Sequence, residues 1–555
     1  MKSYDAYDLS AFGAVPSERQ MEHLKLGRKA FFHFGVNTFT DLEWGEGTER
    51  ESVFDPQNLD CRQWIRTVKE AGYKLAIITA KHHDGFCLWP SKYSEHTVKN
   101  SPYKNGNGDI IREFTDACHE YGIKAGVYIS PWDRHSPLWG TDEYSVYYEN
   151  QLVELLSNYG RIDEVWWDGA GSGETPYNWK SWAETIRRLQ PHACIFGSIG
   201  ATPWVECRWC GNEEGFAGDP CYETVNEDAL YTEETSHLNR GDFCGERFIP
   251  AEVDVSIRPG WFYHENQVND VRSAAALVRL WFESVGRGQM ELLNFPPDRR
   301  GLIHEADAAS AIEAGRRISA IFENNLAKSA KTTASSTRHA DLTPENVLND
   351  GDSFWSPCDG LPASLELSFD APVTFDVFSV SEEIRLGQRI DGFRVEAFVC
   401  GEWKTIADKK SMGYKWAEYF EPVTSDRVRL VIYSAAAAPV INSFELYKMP
   451  DGTFAEEKKT KERSNLVSRI EYAGNSAVVN FGGIYEFNTV DFYSEEKTGY
   501  ILEAFDGASW YELERSAMPK SGRIVCSVAN VSGSYQIRLT LDHKIDESTD
   551  IHVFG

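Results

Sequence analysis

The chain has 555 residues, more than a single hydrophobic core holds, so two to four domains are expected. Its 85 acidic residues against 56 basic ones leave a formal charge of −29, which argues against nucleic acid and anionic membrane as partners. Composition is otherwise that of a soluble protein, apart from 17 Trp and 25 Tyr, side chains that fill cores and, where exposed, present flat faces to sugar rings.

No apolar signal region follows Met1, and no 18-residue apolar run occurs anywhere. The chain is therefore expected to be soluble, either cytoplasmic or exported with its signal removed. The 11 Cys are an odd, scattered set rather than a disulfide framework. Cys207-Arg208-Trp209-Cys210, with Cys221 and Cys244 beyond, has a spacing found in zinc and redox sites, but no second close pair completes one.

A polar lead-in with helical character over residues 17–26 precedes the first strand, Lys29-Ala30-Phe31-Phe32-His33-Phe34-Gly35. A long loop over 36–54 carries Glu43-Trp44-Gly45, and an amphipathic helix follows at 61–71. Residues 74–79 read as a second strand running into Ala80-Lys81-His82-His83-Asp84-Gly85-Phe86. A helix at 110–121 leads to a third strand at 123–129, ending in Ser130-Pro131-Trp132-Asp133. A helix at 144–159 leads to a fourth, Glu164-Val165-Trp166-Trp167-Asp168, stopped by Gly169. Then come a helix at 179–189 and a strand at 193–197, with Arg208-Trp209-Cys210-Gly211-Asn212-Glu213-Glu214-Gly215 read as a loop. A strand at 247–253, a long helix at 266–285, a strand at 289–295 and a helix at 308–322 close the region. Strands alternating with helices of 10–15 residues are parallel βα units, and eight or so of them predict a closed (β/α)8-like barrel over residues 1–325.

Beyond Asn325 helical patterns vanish. Short alternating segments such as 364–369, 393–399, 428–432 and 478–481, with turn residues between them, predict two C-terminal β-sandwiches, at 326–450 and 465–555. The polar, charged run between them reads as a linker.

His33, His82, His83, Tyr128, Trp166 and Asp168 collect at strand ends, where a βα barrel opens its active site. Glycine-flanked Glu213 lies on a loop of the same face. Two carboxylates on one face suit glycosidic bond cleavage, one at the anomeric carbon and one handling protons. His and Tyr both donate and accept, as sugar hydroxyls require. The plain alternatives are a strand-end Asp capping a turn and a satisfied His pair; a third is Asp168 and His82 as metal ligands.

Phe32-His33-Phe34-Gly35, Glu43-Trp44, Lys81-His82-His83-Asp84-Gly85-Phe86, Trp167-Asp168-Gly169 and Leu292-Leu293-Asn294 resemble, in order, the signature stretches of glycoside hydrolase family 29, the α-L-fucosidases. The resemblance spans residues 15–320. It implies retaining exo-hydrolysis by double displacement, with Asp168 as nucleophile, no catalytic cofactor or catalytic metal, and fucosylated oligosaccharides or glycoconjugates as partners. His33, Glu43, Trp44, His82, His83 and Tyr128 match fucose-contacting positions; Arg258 and Trp261 are expected to flank the sugar. The segment ending in Gly211-Asn212-Glu213 resembles the branch that releases α-1,3/1,4-linked fucose from Lewis-type glycans, which makes Glu213 the acid/base, with Glu214 one position away. A broad fucosidase and a non-catalytic fucose-binding protein are the alternatives. Residues 328–449 resemble a discoidin-type module of carbohydrate-binding family 32, implying a structural calcium near Asp350 and Asp352.

Overall fold

The computed structural model describes residues 9–170, 175, 177–197, 203–227, 236–349, 351–358, 360–455, 469–505, 509–545, 549 and 551–554. Eight parallel strands close into a barrel in chain order: β1 (Arg28–Phe32), β2 (Leu75–Lys81), β3 (Lys124–Ile129), β4 (Glu164–Trp167), β5 (Cys194–Gly197), β6 (Cys207–Trp209), β7 (Ala251–Ser256) and β8 (Met290–Asn294). β8 returns to β1 with Phe31 beside Asn294. The connecting helices stop where local chemistry stops them. Asp60 and Asp109 cap Cys61–Glu70 and Ile110–Tyr121 through their carboxylates, and Gly122 ends the latter in the left-handed region.

Three expectations change. Where the sequence predicts loop, β6 forms; its three residues are too few to show a period, yet they fill the gap between β5 and β7. The strand over 247–253 breaks at Pro250, which has no N–H to continue a ladder. Arg247–Phe248 pairs with Thr224–Val225, and the chain then restarts as β7. The long helix near 266–285 is only Ala274–Glu283, begun by the Ser273 hydroxyl accepting from Ala276 N–H, with a 3-10 turn at Glu265–Gln267 before it.

Inside the barrel, strand alternation stacks polar residues in layers. Lys29 on β1 donates to Glu164 on β4 at 2.9 Å and to Glu252 on β7. All three are fully buried. The Trp166 indole donates to Glu252 at 3.0 Å, which ties the active-site floor to this ionic plug. Cys207 also points inward, its sulfur 3.0 Å from that of Cys194, whereas Cys210 packs into the core facing the first sandwich. The Cys207 and Cys210 spacing therefore makes no joint site: three residues along an extended chain reverse the side-chain direction.

The strands Lys331–Ala334, Ala363–Glu382, Ile390–Val399, Glu402–Lys409, Trp416–Ala435 and Ile441–Tyr447 form an antiparallel sheet system around Leu367, Phe378, Val395, Leu430 and Phe444. Together with the barrel they make one compact unit, residues 1–455. The sandwich grips the chain beyond β6: Ser411 Oγ accepts from Cys221 N–H at 2.9 Å, and Glu223 accepts from Tyr414 N–H at 2.9 Å. Asp350 lies outside the described residues. The Asp352 carboxylate pairs with Arg385 at 2.8 Å, and the Gly351 and Ser353 carbonyls accept from the Asn442 amide. Residues 456–555 form a second unit, an antiparallel sheet of Arg469–Ala473, Ser476–Phe505, Trp510–Leu541 and Ile551–Phe554 around Val479, Leu502 and Ile537. The expected linker falls largely on 456–468, outside the described residues. No described helix is long and apolar enough to cross a membrane.

Candidate active site

The carboxyl-terminal ends of the strands surround a cavity of about 530 Å³ lined by His33, Glu43, Trp44, His82, His83, Tyr128, Trp166, Asp168, Glu213 and Trp261. Every one of these was picked out from sequence. Asp168 follows β4 directly, so the strand's alternation aims it inward above Trp166. Its carboxylate accepts from Tyr128 O–H at 2.9 Å and from Ala170 N–H at 2.8 Å, with His83 Nε2 at 3.6 Å. Two neutral donors thus fix the orientation of this carboxylate.

Glu213 faces it from the loop after β6. Burial raises its pKa; the Trp261 indole, donating at 3.1 Å, pulls the other way, and the charges of Asp168 and Glu43 add to the rise. Adjacent Glu214 is outside the lining, its own N–H turned back to the Asn212 side chain at 3.0 Å. The loop is anchored by Arg208, whose buried guanidinium donates to the carbonyls of Leu238, Tyr222 and Ile249.

The histidines are neutral. Burial pushes His33 down to about 4 and His82 well below its usual value, and lowers His83 as well. His33 Nδ1 bonds Asn294 Oδ1 at 2.9 Å, and the same oxygen accepts from the His33 backbone N–H. The Asn294 amide donates to Ser256 Oγ and Trp261 O, which fixes its orientation and therefore that of the imidazole. His83 Nδ1 bonds the Ser130 hydroxyl at 2.7 Å. The floor is Trp166, stacked on Phe196 at 3.8 Å and nearly parallel to it. Trp44 stands at the rim, about half exposed, edge-on to Trp132.

Arg258 is a correction. It does not line the cavity; its buried guanidinium pairs with Asp307 at 2.9 Å and donates to Gln267 O at 2.5 Å. β7 ends at Ser256, so the alternation that would aim residue 258 inward has stopped, and a buried Arg needs its counter-charge.

Sequence reasoning missed Phe31, Phe196 and Asp254 in the lining. A signal existed: Phe31 lies two before His33, and Glu252, Asp254 and Ser256 alternate with valines. Asp254 is a fourth carboxyl in the lining, beside Glu43, Asp168 and Glu213, its pKa pushed well up by burial and next by Glu213, with Oδ1 buried and unbonded.

The alpha-L-fucosidase family model matches residues 12–319. Alpha-L-fucosidase 1 of Arabidopsis thaliana is 41% identical over 448 residues, covering 78% of this chain and 87% of the plant protein. The crystal structure of a glycoside hydrolase 29 family member from an unknown rumen bacterium is 32% identical and superposes with a TM-score of 0.74, covering 98% of this chain and 99% of that one. A Ruminococcus gnavus GH29 fucosidase solved in complex with fucose is 31% identical, with a TM-score of 0.73 over 80% of this chain and 97% of that one. An inward carboxylate held by neutral donors, a second carboxyl raised by burial, and a family match across the whole barrel converge: this chain belongs to the alpha-L-fucosidase family of glycoside hydrolases.

Proposed function

We propose that the protein is a retaining exo-α-L-fucosidase that releases α-1,3- and α-1,4-linked fucose from branched Lewis-type glycans. The observation that carries the catalytic part is the opposed setting of two carboxyls in one cavity: Asp168 oriented by the Tyr128 hydroxyl and the Ala170 N–H, and Glu213 raised toward its protonated form. In the first step Asp168 attacks the anomeric carbon while Glu213 gives its proton to the departing glycosidic oxygen, leaving a fucosyl ester on Asp168. In the second, Glu213 takes a proton from water, the water oxygen bonds the anomeric carbon, and the Asp168 carboxylate departs. Two inversions retain configuration, and no cofactor is needed. Neutral His33, His82 and His83 and the Tyr128 hydroxyl suit fucose hydroxyls. The half-exposed Trp44 and the Gly211-Asn212-Glu213 segment favour a branched glycan beyond the bond.

Asp168→Asn is expected to fold and to lose roughly 10³-fold or more in turnover, each tenfold being about 1.4 kcal/mol. Glu213→Ala is expected to lose activity on a Lewis-type trisaccharide and far less on fucosyl fluoride, with azide restoring turnover as α-fucosyl azide. Initial release of β-fucose would sink the retaining reading. Faster release from an aryl fucoside than from the trisaccharide would favour the broad fucosidase. Binding of fucose without release from either would leave only a lectin-like role.

A further inference from the structure

We infer that His264 is a positioning residue of this site: as an imidazolium clamped between Asp41 and Glu43, it locks the Glu43 loop to the Trp261 loop and gives sugar binding a ceiling in pH. The inference rests on the reading above that Glu43 faces the sugar.

His264 Nδ1 lies 2.8 Å from Asp41 Oδ1, and Nε2 lies 2.5 Å from Glu43 Oε1. Carboxylates only accept. A neutral imidazole has one N–H and serves one of them; bonding both at once takes the doubly protonated ring. Burial disfavours that charge, but the bonds to Glu43 and Asp41 outweigh it and His264 is raised, the reverse of the three cavity histidines.

The clamp is one end of a continuous chain. Glu43 accepts from Trp261 N–H at 2.9 Å and Phe262 N–H at 3.3 Å, and the Trp261 indole donates to Glu213 at 3.1 Å. Only glycine fits where the loops meet: a Cβ on Gly260 would stand 2.5 Å from Glu43 Oε1 and 2.8 Å from His264 Cδ2. Asp41 ends a short helix at φ 64, in the left-handed region that costs a non-glycine residue strain. Glycine would sit there without strain, so the gain from Asp is its carboxylate, which reaches His264.

Other charges face the pair. Arg299 from the loop after β8 lies 3.9 Å from Asp41 and opposes the imidazolium, while Glu265 is turned aside to the Tyr263 hydroxyl. Because the folded pKa is raised, the clamp is whole below it and is lost as pH rises through it. Neutral His264 must release Asp41 or Glu43, and the Glu43 loop loosens from its partner.

The test is L-fucose affinity against pH, by calorimetry, for the unaltered protein, Asp41→Asn and His264→Gln. This readout needs no turnover and is independent of which group is the acid. The unaltered protein is expected to lose affinity on an alkaline limb. Asp41→Asn, at an exposed position, removes one carboxylate, so its limb moves to lower pH by roughly half a unit or more. His264→Gln is expected to bind roughly tenfold more weakly at low pH, with the limb gone, as for loss of one charge-assisted hydrogen bond. If His264→Gln fails to fold, the Asp41→Asn shift decides alone. Identical profiles for the unaltered protein and Asp41→Asn would overturn the inference and leave the fucosidase reading standing. Absence of any L-fucose binding by the unaltered protein would overturn both.

Discussion

Glu213 and Asp168 are both carboxyl side chains, yet their surroundings push them in opposite functional directions. Asp168 receives two hydrogen bonds from neutral donors, whereas Glu213 receives one indole N–H and the repulsion of Asp168 and Glu43 on top of burial. The indole bond stabilises ionised Glu213, so removing it raises the pKa further. Trp261→Phe is therefore expected to move the alkaline limb of kcat/KM on a natural glycan upward by roughly half to one pH unit, since a general acid works while protonated and one unit is about 1.4 kcal/mol. A pH–rate profile of the variant decides it. A limb that stays in place or moves down would mean that the indole does not act on Glu213.

The barrel strands use alternation to carry two kinds of chemistry at two depths. On β1, Lys29 enters the ionic plug while His33, just past the strand, enters the cavity; on β4, Glu164 and Asp168 repeat the division. Lys29 is held between Glu164 and Glu252, all without access to water, so its loss leaves two carboxyls buried beside each other. Lys29→Met is expected to cost about 3–5 kcal/mol of stability, read from denaturant melts. The loss should shrink at low pH, where both carboxyls take up protons. Adding Glu164→Gln and Glu252→Gln should recover most of it. A Lys29→Met protein as stable as its parent would show that the plug adds nothing to the barrel.

At the scale of the whole molecule, no described residue of the first sandwich lines the cavity, yet the sandwich holds the chain that leaves the Glu213 loop. Gln388 accepts from Glu223 N–H at 3.0 Å, and Arg389 reaches back to Ser10 O at 2.6 Å, so both the start of the barrel sequence and the stretch between β6 and β7 are bound to it. Val253 of β7 and Cys210 share a core with Trp416 and Phe378. A chain ending at residue 455 is expected to stay soluble and active. One ending at residue 325 should aggregate or lose most of its activity, because it would expose that shared core. Equal solubility and specific activity of the two truncations would contradict this.

Local chemistry was enough to read most of the barrel. Apolar strands bounded by Asp- or Asn-capped helices show a clear period, so the βα alternation, the helices at 110–121 and 179–189, and the strand ending in Asp168 were legible one residue at a time. His33, His82, His83, Tyr128, Trp166 and Asp168 were legible for the same reason, because the tip of a barrel strand is an address that the sequence carries, whereas Glu43, Trp44 and Trp261, on loops, were reached only through the resemblance to the family. The three-residue strand β6 was not, since three residues hold no period. Nor was the fate of Arg258, since whether an Arg faces a cavity or an Asp depends on where Asp307 arrives, 49 residues later. The bridge from Asp41 through His264 to Glu43 joins residues 221 and 223 positions apart, and only the closed barrel brings them within a hydrogen bond. Spacing along the chain dictates periodic structure, whereas the partner of a buried charge is chosen by the fold that surrounds it.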